Sequence, residues 1–221
     1  PEMITMADND TSTRSSSGFL LAYVVPRTTP VQLYGALNRR LLFSKLSKFG
    51  NLLLGSGHGE SDLFAGQDEE VLLKVGEYDP AEVRGKFIKL LACQTGDQLG
   101  PDMIQKGAIA FQGYTDDFLW VTDSNFATKP WDDPIAAKFL MPVIDSMNAI
   151  LDGKTNREAF VIEQASCDKN LAVETDELYR ALIRWNRDHL VSLGDPNARI
   201  SSPRPKFNFP FKPPPFLPSL F

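Results

Sequence analysis

Four short apolar runs constrain what this chain can fold into more than any other feature. They are "FLLAYVV" (residues 19–25), "NLLLGSG" (51–57), "FIKLLAC" (87–93) and "AIAFQGY" (108–114). Each has strand length, and the three consecutive leucines of the second suit a strand covered on both faces, as in a parallel sheet. The stretches between them carry helical spacing. "TPVQLYGALNRRLLFSKLSKFG" (29–50) sets Leu33, Leu37, Leu41 and Leu42 among basic residues, which predicts a helix stopped by Gly50. "LGPDMIQKGA" (99–108) predicts a short helix with Pro101 in its first turn and Gly107 at its end. "DLFAG" (62–66) and "EEVLLKV" (69–75) read as a small hairpin. From Asp133 onward the pattern is helical as far as Gly194, with Pro142 either kinking the first helix or starting a second. Strands alternating with helices predict an α/β fold with a mainly parallel sheet.

The flanks differ from this middle. Residues 7–18, "ADNDTSTRSSSG", are polar and serine-rich, so residues 1–18 read as a disordered lead-in and 19–200 as the folded domain. The segment 203–221 concentrates proline and phenylalanine, which predicts extended, polyproline-like chain. Exposed phenylalanines at that density are a liability, so this tail is expected to dock, on its own domain or in a protein partner.

Charge and cysteine content narrow the function classes. A net charge of −5 gives no electrostatic match to nucleic acid or an anionic membrane. The run 19–25 is too short to span a bilayer. Two cysteines build neither a disulfide framework nor a zinc cluster, and reduced thiols imply a cytoplasmic setting. "GSGHGE" (55–60) lacks the Lys-Ser/Thr ending of a phosphate-binding loop, and no loop has calcium-site spacing. No cofactor and no metal are expected.

The chemistry gathers at two strand ends. In parallel α/β sheets functional groups collect at the carboxyl ends of strands. One such end carries Cys93 and another His58. A thiol needs an imidazole nearby to become an effective nucleophile. Gly55, Gly57 and Gly59 surround the histidine and allow close approach of a substrate. The backbone amides of Gly59 and Cys93 could face a developing oxyanion. By contrast, Cys167 reads as structural, and His189, beside Trp185, as a surface or packing residue.

An apolar strand ending in His-Gly, followed by one ending in Ala-Cys, resembles the caspase-like cysteine peptidases. "LLACQTGDQLG" (90–100) looks like the Ser-Ala-Cys-x-Thr-Gly block of CHAT-domain proteins and its gingipain counterpart. "GAIAFQGY" (107–114) is similar to the strand that follows, and "VSLGDPNARI" (191–200) resembles the Gly-Asp-Pro block closing gingipain-type domains. The resemblance implies a three-layer α/β sandwich in which Cys93 is the nucleophile, His58 the general acid/base, and Gly59 an oxyanion donor. It implies cleavage of a protein or peptide substrate through a thioester. Caspases carry Gln two residues before the nucleophile. Leu91 stands there, so aspartate specificity is not implied. Cleavage after Arg or Lys needs an acidic pocket, for which Asp116, Asp117, Glu60 and Asp62 are candidates, with Trp120 and Trp131 as walls. A catalytically silent scaffold that assembles through its tail is the alternative.

Overall fold

The computed structural model describes residues 2–200. Strand β1 (Glu2–Met6) buries Met3, Ile4 and Met6, and the chain then turns into helix α1 (Thr11–Tyr23). Strand β2 (Val31–Tyr34), the short helix α2 (Arg40–Leu46) and strand β3 (Leu52–Ser56) follow. Three strands, β4 (Gly59–Glu60), β5 (Leu63–Ala65) and β6 (Val71–Lys74), form a separate antiparallel sheet. Strand β7 (Phe87–Leu91), helix α3 (Leu99–Gln105) and strand β8 (Ala110–Tyr114) come next. The chain continues through α4 (Pro134–Leu151), α5 (Asn156–Val173), α6 (Glu177–His189) and strand β9 (Leu190–Gly194).

The main sheet has the order β2-β1-β3-β7-β8-β9, parallel throughout except for the antiparallel β8–β9 pair. Side chains alternate across it with the two-residue strand period. On one face Ile4, Met6, Leu52, Leu54, Phe87 and Leu91 join a core with α1, α4 and α5. On the other, Met3, Leu53, Ile88 and Leu90 pack with Phe43 of α2, Leu99 and Met103 of α3, and Leu72 of β6. The result is a three-layer α/β sandwich, as the resemblance implies, with the mainly parallel sheet that the apolar runs predict.

Several elements differ from the sequence expectation. Residues 2–18 are not a disordered lead-in: they supply the strand between β2 and β3 and the first half of α1. Small residues there serve close packing. Ser17 Oγ donates to the Ala7 carbonyl (2.7 Å), Ser56 Oγ to Ser16 Oγ (2.7 Å), and a Cβ on Gly18 would lie 2.6 Å from the Pro130 ring. Each buried hydroxyl that finds a partner removes the desolvation cost that made the composition look unfoldable. "FLLAY" accordingly ends a helix rather than forming a strand. Residues 31–34 are an edge strand, which shortens the helix expected over 29–50 to α2. The last helix stops at His189, because the next five residues pair with β8. The proposed tail segment, 203–221, lies outside the described residues.

Sequence patterning also concealed a polar knot beneath the sheet. Lys89, in the middle of β7, is fully buried, and its Nζ lies 2.5 Å from Glu163 Oε2 of α5 and 3.1 Å from Gln112 Oε1 of β8. The Tyr114 hydroxyl donates to the other Glu163 oxygen, and Ser146 of α4 donates to Gln112 (3.2 Å). Gln112 Nε2 in turn donates to Asn156 at the start of α5 (2.7 Å to its carbonyl). Burial, together with the Glu163 carboxylate, holds the Tyr114 phenol well above its ordinary value. This knot fixes the register of α4 and α5 against the sheet.

Candidate active site

Strands β3 and β7 pair with Ser56 opposite Leu91, and the Gly57 N–H continues the ladder onto the Leu91 carbonyl (3.3 Å). Two residues further on stand His58 and Cys93, so the two strand ends lie side by side. Gly59 shows how closely: a Cβ there would sit 2.5 Å from the Cys93 carbonyl oxygen and 2.8 Å from the Thr95 methyl. Only glycine permits that approach.

His58 does not bond to Cys93. Its Nε2 lies 2.6 Å from Asp10 Oδ2, and both side chains are about half exposed. Asp10 is the N-cap of α1: it accepts the Thr13 N–H (2.9 Å), while the Thr13 hydroxyl accepts the Asp10 N–H (3.0 Å), a reciprocal capping box. Burial pushes the Asp10 carboxyl up, but the Thr13 amide and His58 outweigh it and leave it below its ordinary value. The loop before it is clamped by Gln67, which accepts from the Asp8 N–H (2.9 Å) and donates to the Asp8 carbonyl (3.1 Å). Asp10 engages Nε2 of His58 and not Nδ1.

Cys93 is partly exposed. Burial, and then the Asp117 charge, push its thiol above the ordinary value, opposed by a hydrogen bond from the Phe118 N–H. The residue after it, Gln94, has φ +56°, a left-handed backbone that costs a non-glycine residue about 1 kcal/mol or more. Two bonds hold it there: its N–H donates to the Asp116 carbonyl (3.0 Å) and its Nε2 to Asp117 Oδ1 (2.9 Å). This sharp turn ends β7 and leaves the thiol at the lip of the sheet.

Asp117, exposed, therefore stands beside the thiol, and the Asp116 backbone stands beside Gln94. Glu60 and Asp62 lie on the β4–β5 hairpin, which leaves directly from Gly59. Trp120 leans on Phe118 (ring centroids 5.5 Å apart) and packs against the α4–α5 core, while the Trp131 carbonyl accepts from the Tyr23 hydroxyl (3.0 Å). Among the described residues no group of three or more His, Cys, Asp or Glu is placed to hold a metal. Sequence reasoning missed Asp10, Gln94 and Phe118. The Asp-x-x-Thr spacing at 10–13 was the available signal for the first. Gln94 acts through a backbone turn and a side-chain bond to Asp117, and Phe118 through its amide, none of which leaves a residue-type signature.

The sheet order and the helical layers form a caspase-like α/β fold of the gingipain kind. Two gingipain structures are among the solved structures that align with it. One is the Arg-specific cysteine proteinase gingipain R (RgpB), at 14% identity over 90% of this chain and 46% of that one, with a TM-score of 0.50. The other is the complex of the pro- and mature domains of Porphyromonas gingivalis RgpB, at 11% identity over 90% and 48%, with a TM-score of 0.52. The chain spans about half the length of these structures, and the likeness is one of fold. No family model and no curated protein matches the sequence.

Proposed function

We propose that the chain is a cysteine endopeptidase acting through Cys93 and His58. The observation that carries this reading is the apposition of the two strand ends, sealed by Gly59 against the Cys93 carbonyl, in a fold shared with a cysteine proteinase. His58 Nδ1 takes the thiol proton as Cys93 Sγ attacks a peptide carbonyl. The Gly59 and Cys93 amides receive the oxyanion. The proton passes to the departing amine, leaving a thioester. Water then attacks, giving its proton to His58, and the carboxylic acid leaves as the thiol is restored. Asp117 beside the sulfur and the adjacent Asp116 favour a basic side chain in the substrate.

A catalytically silent scaffold is the second reading, favoured by the raised thiol and by the lack of a His58–Cys93 hydrogen bond in the resting chain. Peptidyl acyloxymethyl ketones ending in Arg or Lys, Asp, and Leu separate the two. A single adduct, absent in Cys93→Ala and lost in His58→Ala, is expected from the Arg or Lys probe. No adduct from any probe, while iodoacetamide still reaches Cys93, would favour the scaffold.

A further inference from the structure

The last turn of α6 grips the loop that leaves β8 toward Cys93. The Thr115 N–H donates to the His189 carbonyl (2.9 Å). Asn186, almost fully buried, pairs with both backbone groups of Leu119: it accepts the N–H (2.8 Å) and donates to the carbonyl (2.6 Å). Between these anchors, Trp185 Nε1 donates to the Asp117 carbonyl (2.9 Å). The peptide that follows that carbonyl carries the Phe118 N–H, the amide on the Cys93 sulfur.

A trans peptide points its C=O and N–H in opposite directions. Fixing one end of the Asp117–Phe118 unit therefore aims the other. We propose that Trp185 is a positioning residue for Cys93, its indole N–H holding this peptide so that the Phe118 N–H faces the sulfur. The inference rests on Cys93 being the reactive thiol of the proposed site. The indole bond also polarises the peptide and makes the Phe118 N–H a better donor. A flipped peptide would instead turn the Asp117 carbonyl oxygen toward a developing thiolate, against the Asp117 charge already there. Stacking of His189 on the indole, with ring centroids 4.1 Å apart, and the 2.9 Å contact of its Nδ1 with the Trp185 carbonyl keep the ring in place.

The charged and titratable groups around the sulfur are Asp117 and Asp116 on the loop, His58 with Asp10 from the β3 end and α1, and His189 from α6, whose Nε2 is 3.9 Å from Asp116. None of them changes in Trp185→Phe, which removes the donor and keeps an aromatic ring. The test is the rate of Cys93 alkylation by iodoacetamide against pH, read at the Cys93 peptide by mass spectrometry so that Cys167 does not interfere. In Trp185→Phe the midpoint is expected to rise by about one pH unit, with alkylation at neutral pH about tenfold slower. Leu178→Ala, at an exposed position on the same helix, leaves the bond to the Asp117 oxygen in place and should not move the midpoint. An unmoved midpoint in Trp185→Phe, or an equal rise in Leu178→Ala, overturns the inference. The readout is independent of turnover. A moved midpoint in a chain that no peptide probe labels would remove the peptidase reading and leave the role of Trp185 standing.

Discussion

Lys89–Glu163 and His58–Asp10 both join the sheet to a helix on the same face, one in the middle of the sheet and one at its carboxyl edge. The first pair is 0% and 3% exposed and embedded among Gln112 and Tyr114. The second is 40% and 45% exposed and has water on its open side. A buried pair cannot lose one member without stranding a charge, whereas an exposed pair contributes little to stability and can exchange a proton freely. The same pairing thus serves as a rivet where water is excluded and contributes little to stability where it is admitted.

Substitutions can break this contrast in either direction. The largest effect is expected for His58→Ala, with peptide turnover falling by about 10²–10⁴-fold. Its unfolding free energy should stay within about 0.5 kcal/mol of the parent in urea titration. Lys89→Ala reverses the pattern: chemical denaturation should show a loss of about 3–5 kcal/mol, because Glu163 keeps a buried charge without its cation. The double change Lys89→Met with Glu163→Gln leaves an acceptor for the Tyr114 hydroxyl and removes both charges. It should recover most of that loss; if it is as unstable as the single variant, the rivet reading fails.

Smaller effects follow at Asp10. Asp10→Ala removes the cap of α1 and should cost about 1 kcal/mol, while Asp10→Asn retains it at nearly the parent stability. The Asp10 carboxyl is depressed from its ordinary 3.8, so its contribution is present above that pH and lost as pH falls through the lower folded value. Asp10→Asn should therefore flatten the acid limb of the stability profile slightly. An unchanged acid limb would place the titrating carboxylates elsewhere.

The parallel core was legible in the sequence because β3, β7 and β8 are buried on both faces, and burial writes itself as an unbroken apolar run. The apposition of Cys93 and His58 was legible for the same reason, each standing just past the end of such a run. What escaped was whatever depended on company. A short apolar run such as "FLLAY" fits a strand or a helix equally well. Serines 15–17 look like disordered chain until a sheet surface and the Ala7 carbonyl lie beside them. Lys89 interrupts a strand pattern in sequence, yet it is the centre of the knot that holds α5.

By itself the sequence determined strands β3, β7 and β8, the C-terminal helices and the placing of His58 and Cys93 at two strand ends, all properties of local pattern. Only the tertiary structure decided what stands next to them. Asp10 reaches His58 across 48 positions, and Trp185 reaches the Asp117 carbonyl across 68. Those contacts exist because β1 slots between β2 and β3, and because β9 returns antiparallel to β8 and delivers the end of α6 to the Cys93 loop. Hydrogen bonds of this kind are set by strand order and chain reversal, which no local window contains.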